Sequence, residues 1–123
     1  MNKIEAKYFK QFLNVATDKT LLEFLKHKPA YIQWIKNPSE KIQMFCVQKR
    51  PHSIADIDNP SEEIQCEAVK CGNVIELINN PSEKVKITAV NYYPEAILDI
   101  ENPSEKIKNI AIKKEPYLVR KID

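Results

Sequence analysis

The chain has 123 residues, 43% hydrophobic and 29% charged, with a formal net charge of +2. That length suits one domain able to bury a core, and no apolar run approaches the ~20 residues that a membrane-spanning helix needs. Gly72 is the only glycine, which leaves nothing from which to build a glycine-rich phosphate cradle or a nucleophile elbow.

Ile4, Tyr8, Phe9, Phe12 and Leu13 recur at helical spacing, so residues 1–14 are expected to form an amphipathic capping helix. Lys3, Lys7 and Lys10 interrupt that stretch, unlike the continuous apolar segment of a signal peptide. A degenerate repeat follows over 15–36. Thr17 is its expected N-cap, Phe24 and Leu25 its inward residues, and Pro29, Ile32 and Ile35 mark a second, shorter helix.

From residue 37 the pattern becomes regular. The quartet Asn-Pro-Ser-Glu starts at Asn37, Asn59, Asn80 and Asn102, with spacings of 22, 21 and 22 residues. Repetition at such a period is the mark of a solenoid. Within each quartet asparagine is expected to be the N-cap, proline the first helical residue and glutamate the far half of a capping box. One row then reads Ile42, Ile64, Val85 and Ile107; the next reads Cys46, Ala68, Ala89 and Ala111; Val47, Val69, Val90 and Ile112 follow directly. These rows make one stripe of a helix about 12 residues, hence about 18 Å, long. Pro51, Pro94 and Pro116, with Gly72 in the shortened copy, end that helix. The pairs Ile54/Ile57, Ile75/Ile78, Ile97/Ile100 and Val119/Ile122 then indicate a short second helix. The expectation is an all-α, right-handed α-solenoid forming a single domain over 1–123. It comprises the capping helix and about five helix–turn–short-helix repeats: 15–36, 37–58, 59–79, 80–101 and 102–123.

The start Asn-Pro-Ser-Glu-(Glu/Lys)-(Ile/Val)-Gln, followed about eleven residues later by proline or glycine, resembles a domain-of-unknown-function family of short helical repeats. That family's copies read Asn-Pro-Ser-Glu-Glu-Val-Gln, and Asn59 to Gln65 is the nearest match in this chain. The resemblance covers 37–123, and 15–36 more weakly. It implies an all-helical solenoid and carries over no catalytic or ligand residue. Lys86 and Lys108 stand where the pattern has glutamine.

Charge is polarised along the chain. Residues 1–50 carry ten Lys/Arg against four Asp/Glu (+6), residues 51–101 three against ten (−7), and residues 102–123 six against three (+3). Lys19, Lys41, Lys84 and Lys106 share one helix position, and Lys26, Lys70 and Lys113 lie two turns further along the same face. Asp56, Asp58, Asp99 and Glu101 gather at the ends of short helices. The lysine rows read either as a ridge for nucleic acid or an acidic protein, or as a solvated face. Arg50 and Arg120 are the only arginines, and arginine is the bidentate phosphate reader.

Seven of the ten aromatic residues fall within the first 45 positions. Trp34, flanked by Lys28 and Lys36 and near Tyr31, is either an exposed hot spot or packed under the capping helix. Phe45 poses the same choice. In the last repeat Ile110 replaces polar residues, and that repeat is expected to lack a covering helix. Either a homodimer contact through the C-terminal repeat or self-cover by lysine stems fits that end.

Cys46, Cys66 and Cys71, with His27 and His52 distant from them, form no metal-ligand spacing and fit a reduced, cytoplasmic protein. No triad or carboxylate pair stands out. The expected function is therefore non-enzymatic protein binding, without cofactor, metal or membrane, through Lys19, Lys26, Lys28, Tyr31, Trp34, Lys36, Lys41, Phe45, Lys70, Lys84, Lys106 and Lys113. The alternative is a nucleic-acid or nucleoprotein binder, for example a phage-type inhibitor docking on a host defence complex.

Overall fold

A computed structural model describes residues 2–122; Met1 and Asp123, the outer limits of the expected cap and last repeat, lie outside the described residues. Those residues are helical, without strands, and alternate α-helix with 3₁₀ segment after the first helix. The α-helices are α1 (Lys3–Val15), α2 (Asp18–Leu25), α3 (Glu40–Lys49), α4 (Glu62–Cys71), α5 (Glu83–Tyr92) and α6 (Glu105–Lys114). The 3₁₀ segments Pro29–Trp34, Pro51–Asp56, Ile75–Leu77, Pro94–Asp99 and Pro116–Arg120 follow α2 to α6 in turn. Helices α2 to α6 each pack on the next in chain order, as do the first four 3₁₀ segments.

The core lies between these two tiers. Ile42, Ile64, Val85 and Ile107 are completely buried on the α-helices, with Cys46, Ala68, Ala89 and Ala111 beside them. Those small residues let neighbouring backbones approach. The 3₁₀ tier contributes Ile32, Ile54, Ile75 and Ile97. Proline opens four of the five 3₁₀ segments, where its missing N–H and preset φ cost little.

The helix starts differ from expectation by two residues. Serine, not asparagine, is the N-cap of α3 to α6: the hydroxyls of Ser39, Ser61, Ser82 and Ser104 accept from the amides of Ile42, Ile64, Val85 and Ile107. Each of these helices therefore has 10 residues rather than about 12. Asn37, Asn59, Asn80 and Asn102 instead hold left-handed backbone, with φ between 49° and 50°. Asparagine tolerates that region better than most side chains, and the following proline disfavours a right-handed helix there. Thr17 does cap α2, accepting from Thr20 N.

The quartet glutamates form no capping box within their own helices. Glu40, Glu62 and Glu83 face the next unit instead, as does Asp18 in the degenerate first copy. Ser39 Oγ donates to Asp18, Ser61 Oγ to Glu40, Ser82 Oγ to Glu62 and Ser104 Oγ to Glu83, every one at 2.7 Å. One hydroxyl thus caps its own helix and joins it to the carboxylate opening the helix before, where the positive helix end favours negative charge. Ser82→Ala is expected to cost about 1–2 kcal/mol, since it removes both bonds. Thermal unfolding measures it, and a cost below about 0.5 kcal/mol would show that the ladder adds nothing. Gln43 and Gln65 donate to the carbonyls of Pro38 and Pro60 at 2.9 Å, tying down the same corner. Lys86 and Lys108 occupy that slot later, so the departure from glutamine touches the turn as well as the surface.

Gly72 proves not to be the stand-in for proline. It is the C-cap of α4, as Arg50, Tyr93 and Glu115 are of α3, α5 and α6. Its φ of −166° is ordinary extended backbone. A Cβ there would sit 3.0 Å from the Pro51 ring, so close approach is what calls for glycine.

Candidate functional site

Lys19, Lys41, Lys84 and Lys106 are the second residues of α2, α3, α5 and α6, and all four are exposed, as are Lys26, Lys28, Lys36, Lys70 and Lys113. Every lysine of the first row immediately follows the carboxylate that opens its helix, and Glu63 takes the slot in α4. Lys84 Nζ lies 3.9 Å from Glu62, and Lys26 Nζ 3.2 Å from Glu23. Exposed pairs of this kind contribute little stability. Their alternation of sign does weaken the field along the ridge.

Tyr31 and Trp34 are half-buried beneath α1. Trp34 stacks on Tyr31 at 5.1 Å between ring centroids and meets Phe9 edge-on at 6.1 Å. The cation over its ring is Lys10, at 5.3 Å, rather than either sequence neighbour. Asn14 fastens α1 there: its side-chain amide donates to Trp34 O at 3.1 Å, and its Oδ1 accepts from Lys36 N at 2.8 Å. Phe45 is likewise half-buried, with Lys49 Nζ at 5.8 Å.

With Phe9 and Leu13 turned inward, α1 presents a second apolar stripe outward. Ile4, Tyr8 and Val15 are 68%, 65% and 82% exposed, and Phe12 and Phe24 are exposed beside them. Positions 4, 8, 12 and 15 fall within about 80° of helix circumference. Phe12 meets Phe24 edge-on at 5.2 Å, and Phe24 meets Phe9 at 5.9 Å, so core contacts hold the stripe in place. Phe24 therefore belongs to this cluster, although its alignment with Cys46 suggested an inward position. The signal was already in the sequence: α1 has apolar residues on more of its circumference than one buried face uses. Lys3 and Lys7, both exposed, lie to one side of the stripe.

Away from α1, equivalent shallow grooves recur at the Asn-Pro corners. The first, about 580 Å³, is lined by Ile57, Asp58, Asn59, Pro60, Gln65 and Ile78. The second, about 550 Å³, has Ile78, Asn80, Pro81, Lys86, Ile100 and three carboxylates, Glu76, Asp99 and Glu101. The third, about 440 Å³, has Ile100, Asn102, Pro103 and Ile122 with Lys108 and Lys121. Carboxylates line the first two and lysines the third, so no single charged ligand matches the whole run.

The serine hydroxyls nearest carboxylates are the four that also accept helix amides. Burial pushes the Cys46 thiol up to about 12. Exposed Cys71 is raised by partial desolvation and by Glu67, against the opposing pull of Lys70. Alkylation at pH 8 is expected to label Cys71 alone in the folded protein, more slowly than a free thiol, and to reach buried Cys46 and Cys66 only on unfolding. Peptide mass mapping checks this, and rapid native labelling of Cys46 would contradict it. Tyr117 O–H donates to Glu95 at 2.9 Å, which raises its phenol above the ordinary value. Ile110 is half-buried against the core. Comparison with protein-family models, with curated proteins and with solved structures finds no match to this chain.

Proposed function

We propose that the protein is a non-enzymatic, cytoplasmic protein-binding module: a right-handed α-solenoid of five repeats, related to the short Asn-Pro-Ser-Glu repeat family and closed at its N-terminal end by α1. The exposed stripe Ile4–Tyr8–Phe12–Val15 with Phe24 carries this reading. Large apolar side chains held outward in one patch are what a protein partner buries, and aromatic anchors dominate such contacts. Lys3 and Lys7 at the margin favour a partner whose apolar surface has an acidic rim. The four quartets and the serine–carboxylate bonds between successive units support the repeat reading.

Affinity capture from the native host's lysate, with and without nuclease, tests it. A protein retained after nuclease and lost when Tyr8 is replaced by serine is the expected result. Recovery that vanishes with nuclease would overturn it in favour of a nucleic-acid or nucleoprotein binder. That second reading draws on the exposed lysines at 19, 41, 84 and 106.

A further inference from the structure

The grooves at the Asn-Pro corners join end to end. Ile78 and Asn79 line both the first and the second, and Ile100 and Asn102 line both the second and the third. Their floors are closed, since Ile57, Ile78 and Ile100 are only 5%, 8% and 8% exposed. Their rims are amides and charges. Asn59, Asn79, Asn80 and Asn102 are exposed, and among the described residues no hydrogen bond engages their side chains.

A side-chain amide offers one acceptor and two N–H donors, so it can hold both the C=O and the N–H of another backbone. A row of amides over a closed floor suits a segment whose own backbone groups are unpaired, and a helix pairs them internally. Polyproline-type chain is of that kind, and it turns the same face back every three residues, or about 9 Å. Packed helices lie about 8–10 Å apart, so one turn of such a segment spans one unit of the array.

Charge names the side chains of the occupant. Asp58 lies in the first groove, and Glu76, Asp99 and Glu101 lie in the second against Lys86. Among the described residues no three carboxylate, thiol or imidazole groups are placed to hold a metal ion. Carboxylates spread in this way meet separate ammonium or guanidinium groups instead. Lys108 and Lys121 reverse the sign in the third groove, so the occupant carries both signs.

We infer that this run of grooves is the docking site for an extended segment of a partner protein. The segment has Lys or Arg at two positions three residues apart, and an acidic residue three further on. Its two cations lie with Asp58 and with Glu76, Asp99 and Glu101; its carboxylate lies with Lys108 and Lys121. The asparagine amides hold its backbone, and Asn79, which borders both acidic grooves, is the central contact. This surface goes beyond the α1 stripe and uses none of its residues, so the two readings fail separately.

The end-blocked heptapeptide Lys-Thr-Ser-Lys-Thr-Ser-Glu is the probe, and its reversed order covers the other chain direction. Titrated into the isotope-labelled full chain, one of the two is expected to shift the side-chain amide signals of Asn59, Asn79, Asn80 and Asn102 saturably. Asn79→Ala should weaken binding about fivefold, and Asp99→Asn with Glu101→Gln about tenfold. Asn80→Gly removes another amide without straining the left-handed backbone, and should also cost about fivefold. Tyr8→Ser should change nothing. Displayed random nonapeptides, selected on the full chain, are a second measurement. Enrichment of Lys or Arg at three-residue spacing, lost with Asp99→Asn and Glu101→Gln, supports the site even where the heptapeptides bind too weakly to saturate. Failure of both formats overturns the inference. So does binding indifferent to Asn79→Ala and to the carboxylate substitutions, or preference for the sign-inverted peptide Glu-Thr-Ser-Glu-Thr-Ser-Lys. Concentration-dependent shifts of the same amides without peptide also overturn it, by making the grooves a contact between copies.

Discussion

Ile64→Ala is expected to lower the unfolding free energy by about 3 kcal/mol, within the ~2–5 kcal/mol seen when a fully buried isoleucine is truncated. Ile64 is completely buried on α4, with α3 on one side and α5 on the other. Relaxation cannot easily fill the cavity, because the neighbouring columns are already small: Cys46, Ala68 and Ala89. Val119→Ala is the control, and it should cost less than about 1 kcal/mol because more than half of Val119 already meets water. Urea unfolding followed by helical circular dichroism reads both. Equal losses would mean that Val119 is covered, contradicting its exposure. Neighbour-to-neighbour stacking adds a second expectation: damage at α4 divides the array, so the Ile64→Ala transition should also broaden.

The second large effect concerns binding. Ile4→Ser with Tyr8→Ser is expected to weaken capture of the proposed protein partner about 100-fold or more, since aromatic and apolar anchors at the centre of an interface each contribute about 2 kcal/mol or above. Both side chains are about two-thirds exposed, so the variant should keep nearly all of its thermal stability. That separates loss of a contact from loss of fold, which Phe12 could not do because it packs on Phe9 and Phe24. The complementary variant Lys19→Glu/Lys41→Glu/Lys84→Glu should slow association without abolishing it. Raising the salt should act modestly in the same direction. A steep fall of affinity with salt, together with loss on the lysine substitutions and indifference to Tyr8, would transfer the function to phosphate recognition.

Much of the architecture was legible in residue order. The alternation of long and short helical elements, the buried Ile/Val and Cys/Ala columns, the proline-opened second elements and the Thr17 cap all follow from local rules: apolar periodicity, the backbone restrictions of proline and the chemistry of capping. The helix start was misread by two residues because the quartet offers two good caps, Asn and Ser. Local propensity alone does not choose between them. The choice is made by a bond from each serine to a carboxylate about one repeat earlier, which favours Ser39, Ser61, Ser82 and Ser104 as caps. It leaves the asparagine free to take the left-handed turn.

The surfaces divide in the same way. Residue order identified α1 as amphipathic and placed the lysines in rows, since both depend on spacing along one helix. It could not say that Phe9 would turn in and Tyr8 out, or that Trp34 would lie against Tyr31 under Lys10. Those outcomes depend on where a second helix crosses the first. Nor could it say which columns of the last unit stay bare, because Val119 and Ile54 occupy the same place in the repeat and differ only in what is stacked beyond them. Periodicity along one chain determines which side chains share a face, whereas exposure depends on what packs over that face. Only the assembled tertiary structure decides the second.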